Sequence, residues 1–175
     1  GYANLCRIIT RARRDQAKGF AALHWRQLAD YGAGLIALSG CARSELARAV
    51  LERKPDKAKQ VAQRFASIFG KGNFYLELQR HYERDDRRLN AGLVEVARQL
   101  RLPIVATGNT HYLTPDDAPL HDILMCIRQR VPLTKAGTLL RGNAEYFLRS
   151  PQDVAALFGE WPEALHATLD IAARC

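Results

Sequence analysis

Three short apolar runs of this sequence each end in side chains that can bind a metal ion or move a proton. "GLIALSGC" ends in Cys41, "NFYLELQRH" in Gln79 and His81, and "VATGNTHYL" carries Asn109 and His111. Thiolate and imidazole are zinc ligands, and an amide oxygen suits harder divalent ions. The chain lacks the close-set Cys/His spacing of a zinc finger, so a centre would have to be assembled from distant parts of the sequence. The same residues have a bland reading. A buried cysteine is usually a small hydrophobe, and a loop histidine usually contacts solvent. Spacing alone leaves both readings open.

The elements that must position these groups follow from periodicity. Leu35 to Ser39 is short and apolar and reads as a buried strand. Phe74, Leu76 and Leu78 alternate with Tyr75, Glu77 and Gln79, as a strand does. "PIVATGN" is the third strand, broken by Gly108 and Asn109. Helical patterns lie between and around them. "NLCRIITRAR" places Leu5, Ile8, Ile9 and Ala12 on one face, with Asn4 as its expected N-cap. "HWRQLADYG" is a short helix stopped by glycine, and a longer helical stretch runs on either side of Pro55 to a stop at Gly70. "DDRRLNAGLVEVARQLRL" is amphipathic with acidic residues in its first turn. Thr114–Pro115 and Ser150–Pro151 both read as an N-cap followed by proline at N1, and "PEALHATLDIAARC" forms the last helix. Strands near 37, 76 and 105 alternating with helices predict an α/β fold with a largely parallel sheet. Such sheets present function at the carboxyl ends of their strands, which is where Cys41, Gln79, His81, Asn109 and His111 fall.

Other ionisable groups have simpler expectations. His121 sits in a first helical turn, where it could cap or pair with Asp117. His24 and His166 lie within helical patterns. Glu77 stands between two leucines and is expected to be paired if both faces of its strand are covered. "HYERDDRR" reads as a solvated charge run whose arginines, with Arg80 beside it, could touch a phosphate backbone: Arg80, Arg84, Arg87 and Arg88. Asp85–Asp86 and Asp116–Asp117 fall at helix starts, where the helix dipole accounts for them. There is no phosphate-cradling glycine loop and no nucleophile elbow.

With 175 residues and 47% hydrophobic content the chain can bury one sizeable core, and wholesale disorder is excluded. The net charge of +8 is compatible with a polyanionic partner and identifies none. Four scattered cysteines fit a reducing cytoplasm better than a disulfide framework. No apolar run is long enough to span a membrane, and no secretory leader is expected from these residues. The sequence opens without methionine and closes on an uncapped helical pattern, which reads as part of something longer.

Several phrases in order carry a family resemblance: "GYANLCRIIT", "GLIALSGC", "FGKGNFYLELQRH", "LPIVATGNTHYL", "HDILMCIRQRVPL", "NAEYFLRSPQDVAALF" and "PEALHATLDIAARC". Together they resemble the later part of the PHP (polymerase and histidinol phosphatase) domain of bacterial C-family DNA polymerases, over essentially the whole chain. The resemblance implies part of a distorted βα barrel across residues 1–150, followed by a helical connection, 151–175, toward a downstream polymerase region. It also implies a rim of metal ligands at the strand ends. The family's late cysteine ligand falls on Cys41, and its final Asp-x-His pair falls on Asn109 and His111, while the earlier ligands would lie upstream of Gly1.

Asn109 departs from the metal-binding form, which has aspartate there. A neutral amide is the weaker ligand for a hard ion, so the departure weakens a metal position. It is similar to what error-prone members of the family show.

The resemblance therefore implies a fragment of a DNA polymerase of the error-prone kind. Zinc, manganese or magnesium would occupy a complete PHP site, and magnesium would serve nucleotide transfer in the parent. No catalytic residue of that transfer falls in this segment, and the segment alone is expected to be inactive. DNA, a sliding clamp and other replication or repair proteins are the implied partners. Proofreading 3′–5′ exonuclease activity is argued against by Asn109 and the truncated ligand set. Two alternatives remain: a free-standing metal-dependent phosphoesterase, and a non-catalytic DNA-contacting scaffold whose binding would be strongly salt-dependent.

Overall fold

A computed structural model describes all residues, 1–175. Three parallel strands in the order β1-β2-β3 form the sheet: β1 (Ala37–Leu38), β2 (Phe74–Leu78) and β3 (Ile104–Ala106). Ala37 lies opposite Phe74, and Leu76 and Leu78 lie opposite Ile104 and Ala106. The expected first strand is shorter than Leu35–Ser39, because Gly40 turns the chain away at a φ of 82°. Its ladder nevertheless runs on through Ser39, whose N–H donates to the Tyr75 carbonyl at 2.9 Å. The sheet is open within this chain, with β1 and β3 each paired on one side.

Alternation along β2 sorts its side chains to two covered faces. Phe74, Leu76 and Leu78 join Leu46, Val61, Leu93 and Val96 in the main core. These partners come from α3 (Glu45–Leu51), α4 (Pro55–Phe69) and α5 (Asp86–Leu100). Tyr75 faces the other way, against Val105 and Ala167. Ala167 belongs to α8 (Pro162–Arg174), which follows α7 (Pro151–Leu157). These two helices fall where the sequence pattern places helices, and α8 covers one face of the sheet.

Small residues let the core helices approach closely. Gly92 of α5 crosses α3 where a Cβ would overlap the Val50 side chain. Ser44 caps α3 by accepting the Ala47 N–H at 3.2 Å, and Pro55 opens α4. The left-handed Arg53 (φ 55°) and the extended bias of a residue before proline separate these two helices.

One expected cap is corrected, and another heads a shorter element than expected. Helix α1 (Tyr2–Arg14) starts after Gly1, so Asn4 lies inside it and its side-chain amide donates instead to the Ala33 carbonyl at 2.8 Å. That contact ties α1 to the loop ahead of β1. Thr114 heads a short 3-10 turn, Pro115–Asp117, before α6 (Ala118–Gln129), so Asp117 stands at the N-cap of α6 itself. The short helix α2 (Trp25–Leu28) lies between α1 and β1.

Candidate functional site

Because all three strands are parallel, their carboxyl ends open on one side of the sheet. A cleft of about 340 Å³ lies there, and Cys41, Gln79, His81 and Asn109 all line it. The loop after β1 delivers Cys41, whose carbonyl accepts the Ser44 N–H at 2.8 Å as α3 begins. The loop after β3 delivers Asn109 at a φ of 41°, a left-handed conformation that asparagine tolerates better than most residues. His111, two residues on, is exposed and is not part of the cleft lining.

The loop after β2 is the best-anchored part of the rim. His81 is only 3% exposed, so the charge run around it is not solvated throughout. Its Nε2 lies 2.8 Å from the Gly108 carbonyl, which can only accept, so His81 carries a proton on Nε2. Asp86 accepts the backbone N–H groups of His81 at 2.6 Å and Glu83 at 3.1 Å. Between them Tyr82 is held at a φ of 57°. The Asn143 side chain donates to the His81 carbonyl at 2.7 Å, bringing the later chain onto the same loop. Glu77 is paired, as its place between leucines suggests: it accepts hydrogen bonds from Gln79, at 2.7 Å, and from Thr107.

His111 is held by that later chain. Its N–H donates to the Tyr146 carbonyl at 2.7 Å, and its Nε2 contacts the Arg141 guanidinium. Partial desolvation of the otherwise exposed ring, followed by the neighbouring Arg141, His121 and His81, holds its pKa below the ordinary histidine value. Burial also raises the Tyr146 phenol above the ordinary tyrosine range, helped by the nearby Glu83 carboxylate. His121 does not pair with Asp117, which accepts hydrogen bonds from the N–H and hydroxyl of Thr114 at 2.9 and 3.0 Å. Instead His121 stands edge-on to His111, 5.2 Å between ring centroids, and its buried Nδ1 has no hydrogen-bond partner.

The arginine run divides. Arg80 is committed to the Leu157 carbonyl at 2.8 Å and to Glu160 at 3.1 Å. Arg88 pairs with Asp85 at 3.1 Å. Arg84 and Arg87 are exposed, and Arg84 borders the cleft. Arg141, Tyr146 and Asn90 belong to the rim but carry no sequence signal for it. They lie outside the strand ends, and tertiary folding alone brings them there.

As arranged, these residues do not fit a metal centre. No three His, Cys, Asp or Glu side chains are grouped to hold an ion. Cys41 and Asn109 share the cleft, but Asn109 offers a neutral amide, and the Nε2 of His111 already faces a cation.

Comparison with known proteins bears on the same region. Residues 1–81, which run from α1 through β2 and include Cys41 and His81, match the PHP domain. Over these residues the chain is similar to that domain. Asn109 and His111 lie beyond the matched residues.

Over its full length the chain is 31% identical to the DNA polymerase III subunit alpha of Helicobacter pylori, across 185 aligned residues. It is likewise 31% identical to the DNA polymerase III subunit alpha of Borreliella burgdorferi, across 175. It is 36% identical to the Error-prone DNA polymerase of Symbiobacterium thermophilum, across 193. The chain spans 15% of the length of the first two relatives and 18% of the third.

Proposed function

We propose that this chain is a PHP-domain segment of a bacterial DNA-directed DNA polymerase, and that its work is to support the polymerase core. The observation that carries this reading is similarity along the whole chain to DNA polymerase III alpha subunits and an Error-prone DNA polymerase, with a PHP match inside it. The parent would transfer nucleotides to a primer end with magnesium, and this segment alone would be inactive. Asparagine at position 109 and the 36% identity to the Error-prone DNA polymerase support the error-prone branch.

The open edges of β1 and β3 support a sheet that continues into a distorted barrel in the complete protein. Residues 1–150 would form the PHP portion. Residues 151–175 would lead to the polymerase region, with α8 also covering the sheet. Arg84 and Arg87 are the arginines of the charged run best placed to meet a DNA backbone, since Arg80 and Arg88 are engaged within the chain. A sliding clamp and other replication or repair proteins would be the parent's partners, in the cytoplasm. No helix is long and apolar enough to cross a membrane.

Cys41, Asn109 and His111 would form the late part of the rim for zinc, manganese or magnesium. In this rim Cys41 supplies the thiol, Asn109 an amide without charge, and His111 an imidazole. Contact between His111 and Arg141 favours a degenerate rim with a structural role over a working nuclease. The coding frame on both sides of the segment tests the reading. An upstream His-x-His strand and a long downstream region with closely placed aspartates are expected. A start codon directly before Gly1, or a stop directly after Cys175, would overturn it in favour of a small free-standing domain.

A further inference from the structure

Arg141 is a rim residue that neither the strand pattern nor the family resemblance accounts for. It is half-buried and lines the same cleft as Cys41 and Asn109. Its guanidinium carbon sits 4.2 Å from the centroid of the Tyr146 ring, within range of a cation–π interaction. The same guanidinium meets Nε2 of His111. A guanidinium carries donors only, so Nε2 must accept and the His111 proton must sit on Nδ1. That tautomer has its available lone pair pointed at a fixed positive charge.

Tyr146 holds both partners of this contact. Its ring lies under Arg141, and its carbonyl accepts the His111 N–H at 2.7 Å. The ring is fixed in turn by stacking on His81, with centroids 4.0 Å apart and planes 12° apart. Arg141 is therefore carried on a buried aromatic platform rather than swinging freely from the surface.

We propose that Arg141 is the resident cation of this rim: it occupies the Nε2 lone pair of His111 and must be displaced before a metal ion can bind there. A divalent ion approaching His111 would compete for the same lone pair and meet like charge at close range. The inference rests on the proposed place of His111 at the PHP rim.

Nitrogen-15 spectra of the histidine rings test it directly, recorded on the 175-residue chain during titration with Zn²⁺. Before zinc is added, His111 should show a protonated Nδ1 and an unprotonated Nε2. A protonated Nε2 would overturn the inference without any substitution. In Arg141→Met, zinc should reach His111 with affinity raised about tenfold or more over the unsubstituted chain, in line with the effect of groups surrounding a metal ligand. Arg141→Lys, which keeps the stem over Tyr146 but loses the planar fork, should fall between the two, and thermal melts report whether each variant is folded. Equal zinc affinity at His111 with and without Arg141 would sink the arginine inference while leaving the rim reading intact. Zinc that never perturbs His111 in any variant would sink both.

Discussion

The rings of His81 and Tyr146 stack 4.0 Å apart and nearly parallel, joining the end of β2 to a loop far along the chain. His81 is buried and hydrogen-bonded to the Gly108 carbonyl at the end of β3, so this one stack ties two strand ends to the segment that carries Arg141. Tyr146→Leu removes the aromatic partner and the platform together. It is expected to cost about 2 kcal/mol, from the lost ring pair and incomplete refilling of its volume. Tyr146→Phe should stay within about 0.5 kcal/mol of the parent, because the phenol's hydrogen bond to Glu83 is a long one, 3.4 Å. Urea unfolding of both variants checks the pair.

His111 gives the fold a pH dependence with a definite sign. Its pKa is held below the ordinary 6.5 by partial desolvation of the exposed ring first and by Arg141 next, so the effect on stability is small. A depressed histidine contributes fully above its unfolded value, and the contribution is lost as pH falls through the lower folded value. Stability should therefore decline as pH drops below about 6.5. The slope should be shallower in His111→Gln, read from urea midpoints between about pH 8 and 5. Parallel curves for the two proteins would remove His111 from the account.

Gly92 inverts an ordinary rule. Replacing glycine by alanine inside a helix usually stabilises by about 0.5–1 kcal/mol. Here an added Cβ would overlap the Val50 side chain where α5 crosses α3. Gly92→Ala is expected to destabilise by about 1–3 kcal/mol, and adding Val50→Ala should recover part of that loss. A stabilised single variant would mean that the two helices are further apart than described.

The sheet was largely legible in the sequence, because strand alternation and helix caps are local signals. Strand centres near 37, 76 and 105, the parallel order and the two covered faces of β2 follow from alternating apolar residues and the helices between them. The site was legible only in part. Cys41, His81 and Asn109 share a cleft because parallel strands end together, which periodicity can anticipate. Arg141 and Tyr146 could not be anticipated, since the loop that carries them is placed by hydrogen bonds such as Asn143 to His81. The Asn4 cap failed for a related reason: a tertiary partner, the Ala33 carbonyl, claims the side chain that local geometry would have used.

Asn109 separates a turn role from a metal role. Aspartate tolerates the same left-handed backbone, so Asn109→Asp should leave stability nearly unchanged, whereas a β-branched Asn109→Val should cost about 1–2 kcal/mol at a φ of 41°. In the full-length protein Asn109→Asp should also tighten metal binding, measured as bound metal after dialysis against a chelator. If metal content and affinity stay the same, Asn109 is outside the coordination sphere.

The most direct test of the central claim is primer extension by the full-length protein from the gene that encodes this segment. Primed DNA carrying either a matched or a mismatched primer end would be supplied with nucleotides and magnesium. The account predicts template-dependent extension that His111→Ala leaves within about twofold, a barrier change of well under 1 kcal/mol, and no removal of the mismatched end. No extension, together with hydrolysis of phosphate esters that His111→Ala abolishes, would contradict it and establish a metal-dependent phosphoesterase instead.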